Sequence, residues 1–270
     1  MPDDKYLIVG GNSLVGSGIY KYLKNNNKNV KFTTRKKALS KNAIYFDLNN
    51  PKKLKIKNSK VFFCAAKTSI PFCEENPKDS EKINVINTLK TIKNLLKNNC
   101  KIIYFSSQAV FDGYKKNCTE LDKPNPTCNY GKQKLLVERE LIKLKNIIII
   151  RPTKVLSIND GLLCNWKKLL IQNKKINVFD DLYISPISID FVINFVVNVE
   201  SKGIYHLSGN SKITYFNLMK KICIKNKINY KQIKKISFKN SKKKILYKPN
   251  YCSLSTKYKT KYNIQKFQYF

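Results

Sequence analysis

Tyr6-Leu7-Ile8-Val9-Gly10-Gly11-Asn12-Ser13-Leu14-Val15-Gly16 is the stretch whose reading decides the fold. Four apolar residues form a short strand, Gly10 through Gly16 a tight glycine turn, and Ser17 through Leu23 a helix. A strand that turns on glycine straight into a helix aims backbone N–H groups and the helix N-terminus at one point, which suits a pyrophosphate. Gly10 permits the sharp turn and Gly16 a close helix–strand approach. Ser13 holds the middle place of a Gly-x-x-Gly-x-x-Gly spacing. Its hydroxyl can bond a phosphate, while its Cβ narrows the approach. Gly10, Asn12, Ser13, Leu14, Val15 and Gly16 are therefore the expected cofactor-facing residues of this turn.

Working outward, a second strand, Val30-Lys31-Phe32-Thr33-Thr34, ends at Arg35-Lys36-Lys37. Dinucleotide folds choose between cofactors at the end of this strand, where an acidic residue would bond a ribose 2′-OH. Here cations stand instead, and Arg35 and Lys36 suit a 2′-phosphate. NADPH is the expected cofactor, with NADH as the alternative. A third strand covers Ala43 to Leu48, placing Asp47 and Leu48 at an adenine edge. A fourth covers Lys60 to Ala66, and its small end residues Cys64, Ala65 and Ala66 let a cofactor backbone lie close. A fifth, Ile102-Ile103-Tyr104-Phe105, runs into Ser106-Ser107-Gln108-Ala109-Val110-Phe111-Asp112-Gly113. Gly10, Asp47, Ala65 and Ser107 all fall at carboxyl ends of strands, where open α/β sheets bind ligands. The expected fold is α/β: a Rossmann-type doubly wound parallel sheet over 1–152, with a smaller C-terminal substrate-binding lobe over 153–270 that partly returns to the core.

Downstream lie Tyr130 and Lys134, four residues apart. On a helix they share a face. An ammonium beside a phenol favours the phenolate, so Lys134 is expected to lower the Tyr130 pKa and make it a usable general acid. A Ser107 hydroxyl could hold a substrate oxygen beside them. Ser107, Tyr130 and Lys134 together suit proton transfer to a carbonyl oxygen. The spacing alone is weak, because the chain has 16 Tyr and many Lys, and Tyr20 and Lys24 share it.

These stretches resemble the extended short-chain dehydrogenase/reductases, and among them dTDP-4-dehydrorhamnose reductase and related sugar-nucleotide reductases. Ser106 through Gly113 resembles that group's Ser-Thr-Asp-Tyr-Val-Phe-Asp-Gly signature. Glu120, Asp122, Pro124 and Pro126 precede Tyr130, and Glu138 follows Lys134, as in that group. Ala65-Ala66, Cys73-Glu74-Glu75-Asn76-Pro77 and Asn84 follow its Ala-Ala…Cys-Glu-x-x-Pro…Asn pattern. Arg151-Pro152 and Lys248-Pro249-Asn250 match further segments. There are departures: Ser107 for threonine, Gln108 and Ala109 for Asp and Tyr, Lys154 for a tryptophan. The resemblance implies an NADPH-dependent reductase of a nucleotide-activated 4-keto-6-deoxy sugar, serving surface polysaccharide synthesis. Tyr130 would be its acid, and Lys134 would also hold the nicotinamide ribose. Thr68, Gln108, Val110, Lys154, Lys248 and Asn250 would face the sugar nucleotide, and by analogy the chain would form a homodimer. Two other readings remain: a sugar-nucleotide epimerase or dehydratase of the same family, or a non-catalytic NAD(P)-binding regulatory subunit, since one branch of the family resembles a methionine adenosyltransferase regulatory subunit.

Composition bounds the rest. The chain has 270 residues, 53 Lys and Arg against 17 Asp and Glu, and a net charge of +36. The lysines are spread along the whole chain, densest from Lys234 through Lys244. They read as a compositional bias, giving nonspecific nucleic-acid affinity at low salt and no specific nucleic-acid partner. The eight Cys form no Cys-x-x-Cys pair, and His206 stands alone in a strand-like run, so no metal site is expected. No apolar run reaches the ~20 residues of a membrane span. With a start that leads straight into a strand and no apparent signal peptide, a cytoplasmic location is expected.

Overall fold

The computed structural model describes residues 5–36, 40–238, 240, 247 and 249–258. Lys37, Lys248 and the lysines at 242–244 lie outside these. Two compact units emerge, one from the described residues of Met1–Phe111, Pro124–Arg151 and Ile193–Tyr205, the other from those of Asp112–Lys123, Pro152–Val192 and His206–Phe270. The single boundary drawn from sequence near 152 is thus joined by four further crossings, after 111, 123, 192 and 205.

The first part of the chain alternates strands and helices: β1 (Lys5–Val9), α1 (Leu14–Asn25), β2 (Asn29–Thr34), β3 (Ala43–Tyr45), β4 (Ser59–Phe63), α2 (Ile70–Glu75), α3 (Pro77–Glu81), α4 (Thr88–Lys97), β5 (Lys101–Phe105), α5 (Asn129–Leu141) and β6 (Ile147–Pro152). A π-helical turn, Lys82–Asn87, joins α3 to α4, and a 3-10 turn, Gln108–Val110, follows β5. Later come β7 (Lys154–Leu156), α6 (Gly161–Ile171), β8 (Ile176–Phe179), β9 (Tyr183–Ile184), β10 (Pro186–Ser188), α7 (Ile189–Asn198), β11 (Gly203–Leu207), β12 (Ile213–Thr214), α8 (Tyr215–Lys225) and β13 (Ile233–Ile236).

The main sheet has seven strands in the order β11-β6-β5-β4-β1-β2-β3. From β6 through to β3 every pairing is parallel. Parallel strands covered on both faces read as continuous apolar runs, which explains Val61-Phe62-Phe63, Ile102-Ile103-Tyr104 and Ile147-Ile148-Ile149-Ile150. All ten are essentially inaccessible. Strand order reverses between β1 and β4, and such a switch point opens a crevice at the carboxyl ends of the strands.

The second unit is built on small pairs: β7 with β10, β9 with β12 and β8 with β13. Its core gathers Leu163, Leu170, Val178, Leu218, Met219 and Ile222. His206 is buried there. Its backbone N–H donates to Glu120 at 2.8 Å, and its Nδ1 lies 2.8 Å from the Ser255 carbonyl. It is a packed, hydrogen-bonded strand residue, as expected. All eight cysteines are free. Among the described residues no group of His, Cys, Asp and Glu could hold a metal ion, and no helix is long and apolar enough to cross a membrane.

Candidate active site

The turn after β1 builds one wall of a crevice. Gly10 adopts φ +92°, and a Cβ there would sit 2.7 Å from the Ala65 nitrogen, so only glycine lets β1 end against the end of β4. The Gly10 N–H donates to Thr33 Oγ1 (2.9 Å) and the Gly11 N–H to the Thr33 carbonyl (3.0 Å), tying the turn to β2. A Cβ on Gly16 would lie 2.3 Å from the Gly10 carbonyl oxygen. The Ser13 hydroxyl donates to the Gly10 carbonyl (2.8 Å) and accepts from the Gly16 N–H (3.0 Å). It caps α1 while lining the crevice that the turn walls.

Between this turn and the ends of β2, β3 and β4 lies a cavity of about 300 Å³. Of the expected cofactor residues, Gly10, Asn12, Ser13, Arg35, Asp47, Leu48, Cys64, Ala65 and Ala66 line it, and so does Thr68, expected at the substrate. Leu14, Val15 and Gly16 stand behind it in α1, and Lys36 is not among its lining residues. Arg35 is exposed at the cavity edge. Asp47 spends one oxygen on Asn49, accepting from its backbone N–H (3.0 Å) and side-chain amide (2.9 Å). Sequence reasoning missed Thr33, Thr34, Phe46, Asn49, Lys67 and Ile83. Counting the last two residues of each strand would have found the two threonines. Ile83 had no such signal, because it arrives from the π-helical turn.

The second half of the site hangs on α5. Cys128 caps the helix, its sulfur accepting from the Gly131 N–H at 3.4 Å. The Glu74 carboxylate takes the Asn129 backbone N–H (2.7 Å) and side-chain amide (3.0 Å), fixing the same end from α2. A buried relay adds a third tie. The Asn84 amide bonds the Lys67 carbonyl (3.0 Å) and Gln133 Oε1 (2.8 Å), and Gln133 donates to Ser80 (2.8 Å). Gly131 then meets the turn after β5 so closely that a Cβ would lie 2.0 Å from the Ala109 carbonyl oxygen. That contact, unremarked in the sequence, brings Tyr130 against Ser107.

Ser107 is extended, its hydroxyl accepting from the Ala109 N–H (3.1 Å) and hydrogen-bonded to the Tyr130 phenol. Lys134 is buried, its Nζ donating to the Phe105 carbonyl at 2.7 Å and lying 5.8 Å from the Tyr130 ring centre. Burial brings the Lys134 pKa down to about 8, with the Glu138 carboxylate pulling the other way. Tyr130 corrects the sequence expectation. Burial, with Cys73 and Cys128 adding to it, pushes its pKa above the ordinary phenol range, and the hydrogen bond from Ser107 only partly offsets this. Desolvation outweighs the expected help from Lys134, so the phenol keeps its proton at neutral pH. Behind the pair, Glu138 takes a buried two-pronged contact from Arg151 (3.0 and 2.6 Å).

The remaining expected substrate residues divide. Gln108 lies in the 3-10 turn with its Oε1 buried and without a hydrogen-bond partner among the described residues. Val110 is fully enclosed, so as an apolar core residue it offers no side-chain surface to a substrate. Lys154 and Asn250 belong to the second unit, both exposed, with Lys154 Nζ 5.9 Å from the Tyr215 ring centre.

A parallel sheet reversing at β1/β4, with a glycine turn in its crevice and a Ser/Tyr/Lys cluster at β5 and α5, defines a Rossmann-type protein of the extended short-chain dehydrogenase/reductase kind. The chain belongs to the family described as RmlD substrate binding domain, which it matches over residues 4–269. It is 26% identical to the methionine adenosyltransferase 2 subunit beta of Xenopus tropicalis over 238 residues, spanning 81% of this chain and 71% of that one. To the dTDP-4-dehydrorhamnose reductase of Aggregatibacter actinomycetemcomitans it is 23% identical over 230 residues, 79% and 76% of the two chains. The dTDP-4-dehydrorhamnose reductase of Bacillus anthracis, solved in complex with NADP, superposes with a TM-score of 0.77 at 19% identity, covering 93% of this chain and 89% of that one.

Proposed function

We propose that this protein is an NADPH-dependent reductase that turns the keto group of a nucleotide-activated 4-keto-6-deoxy sugar into an alcohol. The observation that carries the reading is the meeting of Ser107, Tyr130 and Lys134, with Cys64 both a cavity-lining residue and an electrostatic neighbour of Lys134. A nicotinamide dinucleotide fits the residues present. The Gly10 cradle would be filled by any Cβ, and the exposed Arg35 makes no ion pair among the described residues. Gly10 and Asn12 would hold the pyrophosphate, Arg35 a 2′-phosphate and Asp47 the adenine side. When bound, the cofactor supplies hydride.

The chain's own residues do the rest. Ser107 would orient the carbonyl oxygen. Tyr130 would hand its proton to the oxygen as charge develops there, and its raised pKa keeps that proton in place until then. An alkoxide is more basic than a phenolate, so the transfer runs downhill. Lys134 would bond the ribose through the protons that Phe105 leaves free. The buried Gln108 Oε1 would gain a donor from the sugar nucleotide. A soluble, cytoplasmic homodimer is the form we propose.

The test is NADPH oxidation by purified protein, followed by absorbance with dTDP-, GDP- and UDP-linked 4-keto-6-deoxy sugars in turn. Stoichiometric consumption with one of them is expected, and Tyr130→Phe should lower turnover by about 10²-fold or more while leaving NADPH affinity intact. Near-normal turnover in that variant would refute the role of Tyr130. Product formed without net consumption would point to an epimerase or dehydratase.

A second reading is favoured by the similarity to methionine adenosyltransferase 2 subunit beta. In it the chain binds NAD(P) as a non-catalytic subunit of a larger enzyme. Tight NADPH binding with no turnover on any of the sugars would select it.

A further inference from the structure

Lys134 has a neighbour that the proposed reaction leaves unused. Tyr104, on β5, is wholly buried, and Lys134 Nζ lies 4.6 Å from the centre of its ring, closer than the 5.8 Å to the Tyr130 ring. The ring is steadied by Phe63, with centroids 6.3 Å apart. Its hydroxyl has no hydrogen-bond partner among the described residues. A phenol bonded to nothing is not placed by its oxygen, so the aromatic face is the part with a partner. An ammonium so deeply buried needs compensation on more than one side. The Phe105 carbonyl supplies one, and a desolvated cation over an aromatic face is held by the ring quadrupole.

We propose that the face of the Tyr104 ring is a positioning group for Lys134, keeping its ammonium charged and aimed within the site. This deepens the reductase reading and rests on it for its purpose, though not for its test. The groups that face the ammonium are Tyr130 and Glu138 from α5, Tyr104 from β5, Cys64 after β4 and Cys73 from α2. The two thiols are held neutral by burial, and Glu138 shares its charge with Arg151. Tyr104 is itself pushed above the usual phenol range by burial and by the nearby Tyr130 and Glu138, so its ring stays neutral. The neutral ring face is then a source of cation stabilisation beside the Phe105 carbonyl.

The experiment reads Lys134 directly. Trace acetylation with acetic anhydride, quantified at Lys134 by peptide mass spectrometry from pH 6 to 10, gives the midpoint at which the amine loses its proton. In the wild type that midpoint is expected near 8. Tyr104→Phe keeps the aromatic face and should leave it unchanged. Tyr104→Leu removes the face, and pentafluorophenylalanine at position 104 keeps the shape but reverses the quadrupole. In both, the midpoint should fall by about one pH unit. If Leu does not fold, the fluorinated variant decides. A purely structural Tyr104 would change the melting temperature and leave the midpoint alone, and an unmoved midpoint in the fluorinated protein overturns the proposal. NADPH affinity, measured by fluorescence on the same samples, is judged separately. No binding in the wild type would sink the reductase reading while the acetylation midpoints still decide the role of Tyr104.

Discussion

Replacing Lys134 with Met should stabilise the protein while abolishing its turnover. The folded chain holds this lysine at a pKa of about 8 against a model-peptide value of 10.5, a drop of roughly 2.5 pH units. At ~1.4 kcal/mol per unit, the buried ammonium destabilises the fold by about 3 kcal/mol at pH 7. The unfolded chain binds this proton more tightly than the folded one. The penalty is therefore full below about pH 8, shrinks as pH rises from there towards 10.5, and is gone above that. By pH 9.5 about 1.4 kcal/mol of it remains. Methionine fills nearly the same space without the charge, and loses the 2.7 Å bond to Phe105, worth roughly 1 kcal/mol. The expected net gain is about 2 kcal/mol at pH 7 and close to zero at pH 9.5. Urea denaturation followed by far-UV circular dichroism at both pH values measures it. A variant less stable than wild type at pH 7, or a difference that does not change between pH 7 and 9.5, would refute the reasoning. A site that sacrifices stability to hold a reactive group behaves in this way.

Three further outcomes follow from the geometry. Arg151→Met leaves Glu138 buried and unpaired and should cost about 3–5 kcal/mol in urea denaturation, far more than loss of a surface ion pair. Gly131→Ala forces α5 off the Ala109 carbonyl and separates Tyr130 from Ser107, so turnover should fall by on the order of 10²-fold with NADPH affinity little changed, read as a loss in kcat rather than KM. Arg35→Ser should weaken NADPH about tenfold and leave NADH unaffected, read by fluorescence titration of each cofactor.

Much of the first unit was legible because each strand is buried on both faces and punctuated by glycine or small residues. Tyr6 to Gly16, Val61 to Phe63 and Ile102 to Phe105 announce themselves through apolar runs, and their carboxyl ends mark the crevice. The pairing of Tyr130 with Lys134 was legible from helical spacing. Their electrostatics were not. Spacing places an ammonium near a phenol, but only burial decides whether charge or desolvation governs the phenol, and here desolvation does. The cap that Ser13 makes on α1 was not legible either, because it depends on where the Gly10 carbonyl and the Gly16 N–H come to lie.

By itself, the sequence determined the strand-and-helix alternation, the glycine turn of the crevice, the basic end of β2 and the residues able to pass a proton. These are local matters of period, turn chemistry and residue type. Only the tertiary structure decided that Gly131 must be a glycine, that Glu74 and Asn84 hold α5 in place, and that Val110 is core. It also decided that the Tyr104 ring lies over the Lys134 ammonium. Each of these depends on which backbones come within contact distance and on how much water is left between them. Neither quantity is carried by the spacing of residues along a chain.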